Sequence, residues 1–315
     1  EVDWTQVPRG RGGWVGIGDD DSQGVADHWI THRGQDWMHI IGEDTWYRWD
    51  TNAMVWKRST ADDMWEDVRE HINLWLQLCR LGHIDGLPGN ENLFPFRSDT
   101  RKHKQVIEWI TKDHRLTATP QDLDKNPFLF AFSDGMTWDS KECVARESRR
   151  EDRLTRSLSF PMPDRDMHHP DTDMVLRLWG PQDTYFHKWV QARWAESVRP
   201  RYINDQRIMI VRGPKGDDGK SMFRDVLTRS ARNPDGTNDY VGPLPIELFT
   251  HGKDSVQRLN ALATIKRAGV LIAEEMKKGT RFDDASVKDT MTRGEQTAMA
   301  KYRDRTTFDP IYAPV

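Results

Sequence analysis

The chain has 315 residues, 30% of them charged, with 46 Lys and Arg against 50 Asp and Glu for a formal net charge of −4. That length accommodates two domains. A mean hydropathy of −0.81, with no apolar run near the ~18 residues of a membrane helix, describes a soluble protein without a membrane partner. Cys79 and Cys143 lie far apart without histidines at ligand spacing, which argues against a zinc site or a disulfide framework. Both are expected to be ordinary buried or half-buried thiols in a reducing compartment. Charge is uneven: residues 201–315 hold 20 Lys and Arg against 16 Asp and Glu, or +4, leaving −8 for residues 1–200.

In chain order, residues 1–36 are Gly- and charge-rich and are expected to be irregular, with Gly18-Asp-Asp-Asp21 a loop. Residues 37–57 alternate enough to predict a hairpin. Its Trp46, Trp49 and Trp56 could stack on single-stranded bases, although cross-strand aromatic pairing is the commoner use of such residues. Trp65, Val68, Ile72, Trp75, Leu76 and Cys79 follow helical spacing, closed by Gly82. Trp65, Trp75 and Trp189 lie on apolar helical faces and are expected in the core. A loop covers 81–98, Val106, Ile107 and Ile110 mark another helix, and Phe128–Trp138 a second hairpin turning at Asp134-Gly135. A charged, Pro-containing linker follows over about 145–172, with His168-His169 a solvated pair. A helix through Phe186, Trp189, Val190 and Trp194 precedes the next strand.

That strand, Ile208–Val211, runs into Arg-Gly-Pro-Lys-Gly-Asp-Asp-Gly-Lys-Ser, residues 212–221. Strand, glycine-rich loop and Lys-Ser opening a helix make a triphosphate cradle. The loop amides and the helix N-terminus face phosphates, a lysine spans the β and γ oxygens, and a hydroxyl ligates Mg²⁺. The cradle comprises Gly213, Pro214, Lys215, Gly216, Asp217, Asp218, Gly219, Lys220, Ser221 and Met222, with Lys220 on phosphate and Ser221 on the metal. Pro214 replaces the usual first glycine. Asp217 and Asp218 would repel phosphate unless turned to solvent. Met222, Phe223, Val226 and Leu227 then supply a buried helix face. The expected ligands are ATP and Mg²⁺.

A helical segment through Val256, Leu259, Leu262 and Ile265 leads to Gly-Val-Leu-Ile-Ala-Glu-Glu at 269–275. Four apolar residues ending in two acids fit a buried parallel strand whose C-terminal end carries carboxylates. Glu274 suits holding Mg²⁺ and Glu275 suits activating water. The stretch from Met276 to Pro310 adds Gly279, Lys288, Gly294, a basic run over Ala298–Arg305, and Phe308-Asp-Pro310.

This order resembles the superfamily-three helicases of phage, plasmid and poxvirus primase-helicases. The likeness is strong over the last 110 or so residues and looser from about residue 40, through Asp44–Trp56 and Asp124–Asp139. It implies an α/β P-loop ATPase core of AAA+ type, with a parallel sheet and flanking helices, behind an α+β N-terminal domain and a helical collar. The implied boundaries are 1–150 for the N-terminal domain, 151–172 for a linker, 173–203 for the collar and 204–315 for an incomplete ATPase core. It also implies a homo-hexameric ring on single-stranded or forked DNA, with Lys288 serving the ATP site and Lys301, Arg303 and Arg305 gripping the strand. The family's sensor asparagine and arginine find no counterpart before Val315. The chain therefore reads as a piece of a longer virus- or mobile-element-encoded protein acting in the host cytoplasm; many relatives carry a primase module upstream, and residues 1–315 supply no such module. Alternative readings are a small-molecule P-loop phosphotransferase, or a non-catalytic nucleotide-binding assembly fragment.

Overall fold

In a computed structural model of the chain, the described residues are 22–80, 100–164, 220–234, 240–250, 255–265, 268–273, 281–291, 296–299, 305–308 and 313–314, with isolated positions between them. They divide into two compact units. The first holds residues up to Trp49 together with Lys57–Pro120, and the second holds Asp50–Trp56 and everything from Gln121 onward.

The first unit begins with helix α1 (Ser22–Arg33). This corrects the expectation of irregular chain over 1–36. Val25, Ala26, Trp29 and Ile30 recur at helical spacing and are buried, so the segment has an apolar face despite its glycine-rich approach. Strands β1 (Trp37–Ile40) and β2 (Thr45–Asp50) form an antiparallel pair from Trp37 opposite Arg48 to Ile40 opposite Thr45. β3 (Val55–Ser59) follows after a further turn, so the stretch read as one hairpin makes a three-strand meander. β4 (Thr117–Ala118) closes the sheet in parallel beside β1, in the order β3-β2-β1-β4.

Helix α2 (Ala61–Arg80) covers the predicted periodic stretch. The Thr60 hydroxyl accepts from the Asp63 amide at 3.1 Å, and the Asp63 carboxylate accepts from the Thr60 amide at 3.0 Å. This reciprocal cap satisfies first-turn donors. Helix α3 (Thr100–Lys112) packs against α1. Met64, Val68 and Ile72 of α2, Val106 and Ile110 of α3, and Val25, Trp29 and Ile30 of α1 meet Trp37 and Trp46 in one apolar cluster. Trp65 packs against that cluster from its margin.

In the second unit, β5 (Leu129–Ala131), β6 (Met136–Asp139) and β7 (Val144–Glu147) form an antiparallel sheet. The predicted turn lies between β5 and β6, where the Gly135 amide donates to the Phe132 carbonyl at 3.2 Å. Gly135 has φ +78, and a Cβ there would meet Met54 Cγ at 2.8 Å, so any other residue would bring both backbone strain and a close contact. Ala53 and Val55 pack with Leu129, Ala131 and Leu154. Leu154 and Leu158, within the stretch read as a linker, are buried. Cys143 is exposed in the β6–β7 turn at φ 55, against the expectation of a covered thiol.

Further along, helix α4 (Lys220–Ser230) precedes β8 (Val241–Pro243). Helix α5 (Ser255–Ile265) connects onward to β9 (Val270–Ile272). β9 is the middle of a three-stranded parallel sheet, with β8 on one side and β12 (Ala313–Pro314) on the other. Leu248, Phe249, Leu262, Ile265 and Leu271 make the core on this sheet. Helix α6 (Asp284–Met291) and an antiparallel hairpin of β10 (Gln296–Met299) and β11 (Arg305–Phe308) complete the described elements.

Candidate functional site

The triphosphate loop, Gly213 through Gly219, lies outside the described residues, as do Glu274, Glu275, Lys301 and Arg303. Flanking elements are described. Lys220 is the first residue of α4, so the unpaired first-turn amides of that helix begin where the motif places a phosphate. Ser221 is exposed, and so is Met222, which does not join a buried face. β9 ends at Ile272, and the Leu244 amide donates to its carbonyl at 2.9 Å. The acid pair follows two residues later, beyond the C-terminal end of the central strand. Lys288 is exposed on α6. Arg305 is the first residue of β11 and pairs with Met299.

The tryptophans proposed as possible base platforms are not available for that purpose. Trp46, Trp49 and Trp56 are all buried. Trp46 meets Trp37 edge-on with ring centres 6.2 Å apart. The Trp56 indole donates to the Arg150 carbonyl at 2.9 Å, within the second unit. Burial here reflects a sheet whose members point bulky side chains into a core, and these indoles have no face for a base.

Two polar clusters in the first unit escaped the sequence reading. Asp67 of α2 is 4% exposed and accepts from the Trp29 indole at 2.9 Å and from Arg33 Nη1 at 3.2 Å, with Arg48 Nη2 at 3.7 Å. Arg48 also lies over the Trp37 ring at 5.3 Å. One carboxylate thus ties α1, α2 and β2. Nothing in the spacing of these residues signalled it, because the partners are 38 and 34 positions from Asp67.

The second cluster is His28, His32 and His71. His28 Nδ1 and His71 Nε2 are 2.8 Å apart, one ring donating and the other accepting, and the His28 and His32 rings are centred 4.3 Å apart. Burial pushes His28 down to about 2 and His71 down to about 4, with neighbouring His71 adding to the depression at His28 and Arg33 to that at His71. Burial also lowers His32. Among the described residues no group of His, Cys, Asp and Glu is arranged to hold a metal ion. The cluster is a neutral packing element.

Its pH consequence has a definite sign. Both folded values lie below the ordinary 6.5, so the unfolded chain takes up these protons first. Stability is fully present above pH 6.5. It is lost as pH falls below that value, through about 4 for His71 and on towards about 2 for His28. Each histidine should account for about 2 kcal/mol between pH 6.5 and 5. Denaturant titrations of the first unit at the two pH values should show the loss. They should show less of it in a His28→Gln, His71→Gln chain; equal losses in the two chains would remove the assignment.

Taken together, the described residues define a mixed α and β protein. A helix-covered sheet forms the first unit, and an antiparallel sheet and a parallel sheet are found in the second. The chain belongs to the family described as D5 N terminal like, which it matches over residues 26–194. That domain is found in phage and viral primase-helicase proteins, enzymes of DNA replication. No curated protein matches the chain. Among the described residues no helix is long and apolar enough to cross a membrane.

Proposed function

We propose that this protein is an ATP-driven DNA helicase motor of the superfamily-three kind, with its P-loop ATPase core in residues 204–315. Mg²⁺ and ATP would be held by the 213–222 loop, with Lys220 on the β and γ phosphates and Ser221 and Glu274 on the metal. Glu275 would orient and polarise the attacking water, and Lys288 would serve the same site. Each nucleotide would sit between subunits of a homo-hexameric ring, and Lys301, Arg303 and Arg305 would grip single-stranded or forked DNA.

The observation that carries this reading is positional. A Lys-Ser pair opens one helix, and an acid pair follows the middle strand of a parallel sheet at its C-terminal end. In open parallel sheets ligands collect at that edge. Membership of a primase-helicase family supports the DNA substrate and the replication role. A P-loop phosphotransferase would use the same loop, but would have no use for a basic hairpin after the acids.

Glu275→Gln separates binding from chemistry. The amide keeps the side chain's size and loses the base, so ATP affinity should stay within about threefold while turnover falls by at least about 100-fold. Nucleotide binding measured beside DNA-stimulated phosphate release checks both halves. Unchanged release would remove Glu275 from its role.

A further inference from the structure

Arg156 of the second unit is charged and buried, with 2% of its side chain exposed, and the proposed ATP chemistry gives it no part. Its segment is fixed to β5, because the Leu158 amide donates to the Ala131 carbonyl at 2.8 Å. Two groups lie against the guanidinium. Asp124 Oδ2 is 3.8 Å from Nε, and the Tyr240 ring is centred 5.0 Å from Cζ. Asp124 is tied to the same segment: its carboxylate accepts from the Thr155 amide at 2.9 Å and from the Thr155 hydroxyl at 2.5 Å. Tyr240 belongs to a distant stretch of chain, just before β8. The Tyr240 carbonyl accepts from the Gly269 and Val270 amides, both at 2.8 Å, and Val241 pairs with Val270. Ring and carbonyl thus join Arg156 to the start of β9.

The buried cluster around Tyr240 reaches both halves of the candidate ATP site. It contains Phe132 and Leu158 from the β5 side, Ala231 and Val241, with Ile272 packed against it. Ala231 directly follows α4, the helix that Lys220 opens. Ile272 ends β9, and Glu274 comes two residues later. Apolar residues of similar volume would stabilise such a core as well as a buried charge does. What the cation adds is direction, since it holds the ring at a definite place on the guanidinium. We propose that Arg156 is a positioning residue of the ATP site. By clamping Tyr240 it fixes β9, and with it Glu274 and Glu275, relative to α4 and Lys220. This rests on the ATPase reading of residues 204–315. A catalytic group misplaced by about 1 Å costs about 100-fold in rate, whereas the phosphate loop would keep its own backbone contacts.

The full chain is assayed for phosphate release with saturating single-stranded DNA, over ranges of ATP and of Mg²⁺. ATP affinity is measured separately with a fluorescent analogue. Arg156→Met, which keeps an apolar stem without the charge, should lower kcat by at least about tenfold. ATP affinity should stay within about threefold, and the Mg²⁺ concentration for half-maximal rate should rise several-fold. Arg156→Lys keeps a cation without the planar stack and should recover part of kcat. Tyr240→Leu should reproduce the Arg156→Met split, and the double variant should be no worse than either single one. Should Arg156→Met fail to fold by circular dichroism, Tyr240→Leu and Arg156→Lys carry the same test. Variants that melt earlier yet turn over at the wild-type kcat per folded molecule would overturn the proposal, because Arg156 would then only stabilise the fold. Additive losses in the double variant would overturn it too. Lys220→Ala measured alongside separates the two readings. Wild-type hydrolysis that is lost in Lys220→Ala but unchanged in Arg156→Met and Tyr240→Leu removes the positioning role alone. A wild-type chain that hydrolyses no ATP removes the ATPase reading and this role with it.

Discussion

Replacing Lys220 by alanine should lower ATP turnover by at least about 100-fold and weaken nucleotide binding with it. Lys220 opens α4, so in the proposed site its charge would add to that of the helix's unpaired first-turn amides, which favour an anion. Charge on the γ-phosphate grows as the bond to the leaving diphosphate breaks. In the proposed role the lysine would therefore contribute more in the transition state than in the ground state. Lys220→Arg keeps the charge but replaces a compact ammonium with a planar fork, and should recover only part of the activity. Phosphate release with saturating single-stranded DNA is the measurement. A Lys220→Ala chain that hydrolyses ATP at the wild-type rate would end the motor reading, because no other part of the 213–222 loop supplies a lysine at the helix start.

The largest stability loss in the first unit is expected from Asp67→Ala. Removing the carboxylate leaves the buried Trp29 indole N–H without its acceptor, and leaves Arg33 and Arg48 without the acid that balances them. An orphaned buried donor costs about 1–3 kcal/mol. Losing one partner of a fully buried pair costs about 3–5 kcal/mol, but both arginines here are partly in solvent, so their share is smaller. A total of roughly 3 kcal/mol is expected. Asp67→Asn retains an acceptor for the indole while discarding the charge, and should lose about half as much. Urea unfolding followed by far-ultraviolet circular dichroism and tryptophan fluorescence is the measurement. A loss below about 1 kcal/mol for Asp67→Ala would mean that the three elements are held by apolar packing alone.

Much of the first unit was readable because periodicity and burial coincide in α2 and α3. Met64, Val68 and Ile72, and Val106 and Ile110, turn the same way because a helix repeats every 3.6 residues. Helix α1 was missed although Val25, Ala26, Trp29 and Ile30 carry the same period, since its polar residues and glycine-rich approach dilute the signal. The meander was read as a single hairpin because alternation marks strands without counting them. β1 is buried at all four positions, so it does not alternate at all. The Asp134-Gly135 turn was legible from local chemistry alone, since a residue at φ +78 calls for glycine.

The candidate ATP site divides along the same line. The order of Gly-rich loop, Lys220-Ser221, Glu274-Glu275, Lys288 and basic run is a property of the chain itself. Each of those chemistries is encoded within a few neighbouring residues. Sequence alone thus determined which residues are candidates for phosphate, metal and water, and which helices have an apolar side. Tertiary structure alone decided that Trp46, Trp49 and Trp56 face a core while Trp109 faces solvent, and that Asp67 is the shared acceptor of α1, α2 and β2. The physical reason is that burial and long-range pairing depend on which distant segments come to lie against a side chain, and no local pattern of residues carries that information.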